Sequence, residues 1–183
     1  DIGGEYSGLT IILASGVAAS ASHLTPTDKK FIKNEGTIIE LGGVKNRYHC
    51  PMSRTVYIGK PDDKINDTMS ITNEAFENAL QYIKPGNTAN DVAVAFWDIL
   101  SKYGLEKDSR LGYSIGVGYP PDWGEHTMSI RKNDMTVLKP NLTFHMIAGM
   151  WMDTWGLEVS ESIRVTDKGY ELFCNFPRTL HLI

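Results

Sequence analysis

Glu40 is the acidic residue whose surroundings most need an explanation. It stands among Ile38, Ile39 and Leu41, which predicts a strand covered on both faces and a carboxylate directed into the protein. Burying an unpaired carboxylate costs several kcal/mol, so Glu40 needs a partner, a metal ion or a catalytic role. A structural ion pair with Arg54 on the return strand is the plain alternative, and these residues alone leave both interpretations open.

A second group of polar residues lies late in the chain. Strand alternation puts Glu158 and Ser160 on one face of the segment 157–165, and His145 and Ile147 on one face of the segment 142–148. His23 lies in a loop rich in Ala, Ser and Thr, and on its own would be interpreted as a surface histidine.

The elements that must position these residues can be predicted from periodicity and turn signals. We expect a hairpin over 36–59 and a helix that begins at Pro61-Asp62-Asp63. A second helix should begin with a capping box at Thr88 and Asp91 and end at Gly104. Strands are expected at 9–13, 113–117, 142–148, 157–165 and 170–173, with a rigid loop at 120–125. This order predicts an α+β (α/β layered) domain with helices outside a curved sheet.

Composition narrows the functional classes. The 183 residues suit one domain, and a net charge of -4 without a basic run argues against nucleic acid or an anionic membrane as partner. No apolar run approaches the roughly 20 residues of a membrane helix, and the first residues given do not show the basic-then-apolar pattern of a signal peptide. The two cysteines form no metal-binding spacing, so we expect a cytoplasmic protein.

The hairpin resembles the creatinase, prolidase and methionine aminopeptidase superfamily, whose pita-bread domain carries Asp-x-Gly and then Gly-Tyr-x-Ser-Asp-x-Thr-Arg-Thr. Glu40 and Gly42 match the first motif, and Tyr48 with Ser53-Arg54-Thr55 match the second. The remaining metal-ligand positions of the superfamily are occupied by Pro51, Pro120, Ile147 and Ser160. Such side chains do not assemble a site for divalent ions, so no metal and no other cofactor is expected.

Longer segments resemble the metal-free ectoine hydrolase branch of this superfamily. They include Pro-Pro-Asp-Trp-Gly-Glu at 120–125 and Trp-Gly-Leu-Glu at 155–158. The resemblance implies a hydrolase that opens the cyclic amidine of ectoine to give N-acetyl-2,4-diaminobutyrate. It assigns catalysis to His23, Glu40 and Glu158, and we expect substrate contacts from Tyr48, Arg54, Tyr113, His145, Trp151, Trp155 and Glu161.

Glu40 would attack the amidinium carbon or activate water, His23 would move the proton, and Glu158 would orient the cation. The alternatives are a creatinase-like amidinohydrolase acting on a linear guanidino acid, an Xaa-Pro peptidase-like protein, and a non-catalytic binding module. The resemblance also implies a homodimer that binds a small molecule. Residues 1–183 are expected to form the pita-bread catalytic domain without its first helices and without an upstream N-terminal domain.

Overall fold

A computed structural model describes residues 3–183. A mostly antiparallel sheet contains β1 (Ile12–Ser15), β2 (Glu35–Lys45), β3 (Tyr48–Ile58), β4 (Gly112–Tyr119), β5 (Asp122–Ile130), β6 (Thr143–Trp151), β7 (Gly156–Val165), β8 (Tyr170–Leu172) and β9 (His181–Leu182). The strand order is β1-β2-β3-β4-β6-β7-β8; β5 pairs with β4, and β9 pairs in parallel with β3. A short 3-10 helix, Gly16–Ser20, follows β1.

Two helices cover one face of this sheet. They are α1 (Asp63–Leu80) and α2 (Ala89–Lys102), and their apolar faces pack with β6 and β7 into one core. The helix starts agree with the sequence. Asp62 accepts a hydrogen bond from the Ile65 N–H, and the Thr88–Asp91 capping box forms in both directions. Neither helix, within residues 3–183, is long and apolar enough to cross a bilayer.

The sheet curls so strongly that two strands which are not neighbours in it come together. The Thr55 hydroxyl of β3 donates to the Glu158 carbonyl of β7 at 2.9 Å and accepts from the Glu158 N–H at 2.7 Å. Two residues earlier in β3, the Ser53 N–H donates to Ser160 Oγ of β7 at 2.7 Å. These bonds bring the two halves of the chain to one concave face.

Three local expectations need correction. Asp122–Glu125 belongs to β5 rather than to a loop, because the chain turns at Pro120-Pro121 and pairs back along β4. The first strand is displaced to Ile12–Ser15. The cover over β2 is one-sided, since Ile38 and Glu40 are buried whereas Leu41 is 42% exposed.

Candidate active site

A small cavity lies on the concave face and gathers residues from both halves of the chain. Its volume is about 130 Å³, well below the ~300–1,000 Å³ of pockets for drug-sized ligands. Five residues singled out in the sequence line it, namely His23, Glu40, Tyr113, Trp151 and Glu158. Ile147 completes the apolar wall. We call this space the catalytic cavity.

Glu40 and Glu158 are the two buried carboxylates of the catalytic cavity, each only 4% exposed. Burial raises the pKa of Glu40 well above its ordinary value, and the charge of Glu158 raises it further. Burial also raises the pKa of Glu158, against the lowering effects of the Ser53 hydroxyl and the Lys107 charge. Within the described chain, Glu158 Oε1 has no hydrogen-bond partner. A cationic ligand with N–H donors would satisfy Glu158 Oε1 and favour the ionised form of both carboxylates.

His145 lies directly behind the cavity wall and is fully buried. Its Nδ1 is 3.2 Å from the Tyr113 hydroxyl and its Nε2 is 2.7 Å from Ser160 Oγ. Burial, reinforced by the charge of Arg110, lowers the pKa of His145 to about 3. A neutral imidazole with both nitrogens engaged holds Tyr113 in place and carries no charge at neutral pH.

Tyr113 is fixed from the other side as well. Its hydroxyl accepts a hydrogen bond from Trp123 Nε1 at 2.6 Å, and the Arg110 guanidinium lies 4.3 Å from its ring centroid. Burial raises the pKa of Tyr113, and the nearby Glu40 charge adds to the effect, so the phenol stays protonated. The edge-on contact of Tyr113 with His145 completes a rigid wall.

His23 stands at the exposed mouth of the cavity. Its backbone has a φ of 60°, a left-handed conformation that is uncommon for a residue with a side chain. The loop after the short 3-10 helix thus places a solvent-exposed imidazole at the mouth of a cavity that holds two buried carboxylates.

The loop 105–111 contributes two basic residues that the sequence analysis did not single out. Arg110 lines the catalytic cavity, and Lys107 is buried beside it under the Trp151 ring, with Nζ 4.4 Å from the ring centroid. Burial lowers the pKa of Lys107 to about 7, although the charge of Glu158 opposes the change. The local pattern Glu106-Lys107-Asp108 is typical of a solvated surface loop, so no sequence signal marks this lysine as buried.

Besides His145, four expected contact residues lie outside the catalytic cavity. Trp155 lines a larger neighbouring cavity of about 640 Å³, which shares Trp151 with the catalytic one. Tyr48 is 63% exposed and lies at a different depression, beside His49. Arg54 and Glu161 are buried against each other, with Nη2 and Oε1 2.6 Å apart.

The Arg54–Glu161 pair also corrects the alternative offered for Glu40. Arg54 faces Ile39 across the hairpin, whereas Ser53 faces Glu40. The guanidinium is used entirely on the far side, where it donates to Glu161 and to the carbonyls of Ser53, Ser160, Phe176 and Pro177. Glu40 therefore has no ion pair with Arg54.

The donors around Glu40 do not fit a divalent metal. Residues 3–183 contain no group of three or more His, Cys, Asp or Glu side chains that could hold a metal ion. Ile147 presents an apolar side chain to the cavity, and Ser160 Oγ is used by the Ser53 N–H and His145. With an apolar side chain and an already bonded hydroxyl at these two positions, the carboxylates are a poor site for Zn²⁺, Mn²⁺ or Mg²⁺.

A curled antiparallel sheet with helices on one face and a polar cleft on the other defines a pita-bread hydrolase-type domain. The X-Pro aminopeptidase of Thermotoga maritima has the same fold, with a TM-score of 0.90 at 24% identity over 99% of this chain and 50% of that one. The sequence profile of metallopeptidase family M24 matches residues 1–167, and the chain belongs to this family.

Two relatives are similar along nearly the whole chain. An ectoine hydrolase of Halomonas elongata is 47% identical over 179 residues, which are 97% of this chain and 45% of that protein. An uncharacterized hydrolase/peptidase of Sinorhizobium fredii is 42% identical over 165 residues, 90% of this chain and 42% of that protein. The chain thus spans less than half the length of these two relatives.

Proposed function

We propose that this chain forms the reacting half of a hydrolase that opens the cyclic amidine of ectoine without a metal ion. The observation that carries the proposal is the pair of buried carboxylates, Glu40 and Glu158, in a cavity of about 130 Å³. An amidinium is a flat delocalised cation that carries N–H donors. It meets both needs of the pair, positive charge and a donor for Glu158 Oε1.

Binding of the cation prepares the nucleophile. In the empty cavity the raised pKa values of Glu40 and Glu158 favour retention of a proton. An amidinium placed between the carboxylates lowers both pKa values, so Glu40 becomes ionised when substrate is present. The same charge pairing makes the cavity selective for a cation over a neutral amide.

The reaction then proceeds by addition and ring opening. The Glu40 carboxylate, or a water molecule from which it takes a proton, adds an oxygen to the amidinium carbon. The ring C–N bond breaks, and the departing nitrogen takes its proton from His23 at the cavity mouth. If Glu40 attacks directly, the opened ring stays bonded to the Glu40 oxygen as an imidate, and water then adds to the imidate carbon, giving the amide and regenerating the carboxylate; either route consumes one water per ring opened.

The division of labour between the histidines follows from their surroundings. His145 has a pKa near 3 and both ring nitrogens engaged, so it is a poor proton donor at neutral pH. His23 is exposed at the mouth and can exchange protons with solvent. We assign proton transfer to His23 and the positioning of Tyr113 to His145.

The proposal is tested with chelator-treated full-length protein incubated with ectoine, with ring opening followed by proton NMR. Creatine and an Xaa-Pro dipeptide are run alongside, each with and without added Mn²⁺. Ring opening of ectoine that chelator does not reduce supports the proposal. Turnover of creatine alone, turnover of the dipeptide only with Mn²⁺, or no turnover of any substrate would each overturn it.

We also propose that the working enzyme is a cytoplasmic homodimer. Apolar side chains stand exposed beside the His23 loop, where a second chain could cover them; they include Val17, Leu24, Phe31 and Ile32. Both cysteines, Cys50 and Cys174, are free, as expected in a reducing compartment. Sedimentation of the full-length protein at two concentrations tests the dimer, and a monomer at both would refute it.

A further inference from the structure

The catalytic cavity also borders a buried donor whose partner is missing. Trp151, at the end of β6, lines the cavity, and its indole Nε1 is buried without an acceptor in the described part of the chain. A buried N–H without an acceptor is costly, so such a group calls for a partner from outside the chain. Glu158 Oε1 is an unpartnered acceptor of the same cavity. The two unpartnered atoms call for a ligand that carries both a hydrogen-bond acceptor and a donor.

The Trp151 ring is held in place rather than free to turn. Lys107 Nζ lies 4.4 Å from its ring centroid, and Lys107 is itself fixed by the Gly149 carbonyl at 3.1 Å and by the Ser109 hydroxyl. The ring packs closely on Gly149, where a Cβ would stand 2.5 Å from Trp151 Cζ2. A clamp of this kind fixes the direction of the N–H bond before any ligand arrives.

Two basic side chains of one loop stand at the catalytic cavity. Lys107 lies under the indole and Arg110 lines the cavity wall, both from the loop 105–111. A donor with a basic side chain against its ring favours an anionic acceptor over a neutral one.

We propose that Trp151 donates its indole N–H to the carboxylate of a zwitterionic cyclic amidine, while Glu158 accepts from the amidinium, and that Lys107 is the positioning residue that fixes Trp151. This rests on the proposed function and adds the recognition of the anionic end. In this arrangement Trp151 binds the substrate through its N–H group as well as through the face of its ring.

The test compares two substrates in the full-length enzyme. One is ectoine, and the other is 2-methyl-1,4,5,6-tetrahydropyrimidine, the same kind of ring without a carboxylate. Trp151→Phe keeps an aromatic ring and removes the N–H. It should raise KM for ectoine about tenfold to one-hundredfold with a much smaller change in kcat. The kcat/KM for the carboxylate-free amidine should change less than about twofold.

An equal loss of kcat/KM on both substrates would overturn the donor role and leave the amidine hydrolase intact. Turnover of neither substrate by the unaltered enzyme would instead overturn the proposed function. Tyr103→Phe is the matched control, because it also keeps the ring and removes one donor, and the Tyr103 hydroxyl binds Glu74 at the exposed surface. The ratio of the two kcat/KM values should be unchanged in that variant.

Lys107→Met supplies an independent variant that leaves Trp151 itself in place. Removal of the ammonium frees the ring, so KM for ectoine should rise several-fold while KM for the carboxylate-free amidine stays nearly constant. A merely structural lysine would lower kcat or thermal stability without separating the two substrates, and that result would overturn the positioning role. Lys107→Arg retains the charge and should recover part of the discrimination.

Discussion

Replacing Glu40 with Gln should abolish activity and at the same time stabilise the protein at neutral and alkaline pH. The side chain is 4% exposed, and it lies close enough to Glu158 for that charge to raise its pKa. Gln keeps the volume of the side chain but can neither attack nor accept a proton. We expect turnover to fall by more than a hundredfold, the lower range for loss of a positioned general base.

The stability change follows from the direction of the pKa shift. The ordinary pKa of Glu40 is 4.5 and the folded value is higher, so the folded state holds more protons than the unfolded state between the two. Stability is therefore lost as pH rises from about 4.5 through the folded pKa, by up to about 1.4 kcal/mol per pH unit for one group. Glu40→Gln removes this loss and also the repulsion on Glu158.

The assay is thermal unfolding of both proteins at pH 5, 6, 7 and 8, with ectoine turnover measured at pH 7. For a domain of this size each kcal/mol corresponds to about 2–4 °C, so the variant should melt several degrees above the parent at pH 8 and near it at pH 5. Glu106→Gln changes an exposed carboxylate of the loop 105–111 and is the matched control. A variant that keeps near-normal turnover, or whose melting temperature is lowered equally at every pH, would refute the reasoning.

Four further results are expected. Ser160→Ala leaves the Ser53 N–H and His145 Nε2 without their buried partner and should destabilise the fold by about 2–4 kcal/mol in urea unfolding; a loss no larger than that of exposed Ser101→Ala would contradict this. His145 should show no imidazole titration between pH 5 and 8 by NMR, since burial lowers its pKa to about 3, and a midpoint near 6.5 would contradict this. The Lys107 side chain should titrate near pH 7, and its NMR signal is identified by its loss in Lys107→Arg. A midpoint above 10 would contradict the burial of Lys107. Gly149→Ala should push the Trp151 ring aside and raise KM for ectoine, and an unchanged KM would mean that the ring adjusts at no cost.

The local elements follow closely from short-range patterns. The Thr88–Asp91 capping box and the hairpin around Glu40 form as the sequence predicts, because each depends on residues a few positions apart or on one turn. The stretch 120–125 was interpreted wrongly, since proline and glycine are typical of loops and the pairing of β5 with β4 decides otherwise.

The sequence by itself determined which residue types stand at the motif positions of the family. Glu40 keeps an acidic side chain at its motif position, whereas Pro51, Pro120, Ile147 and Ser160 stand at the other ligand positions, and a motif comparison needs only identity and order. His23 and Tyr113 could be singled out as candidate site residues in the same way, from their positions in the sequence.

Only the tertiary structure decided which of these residues share a cavity. The curl of the sheet joins β3 to β7 through Thr55 and Glu158, and it places Arg54 and Glu161 together away from Glu40. It also buries Lys107 under Trp151, although its sequence neighbours are charged. Strand alternation assigns a side chain to one of two faces, but contact between distant strands depends on the twist and curl of the whole sheet, which no local pattern encodes.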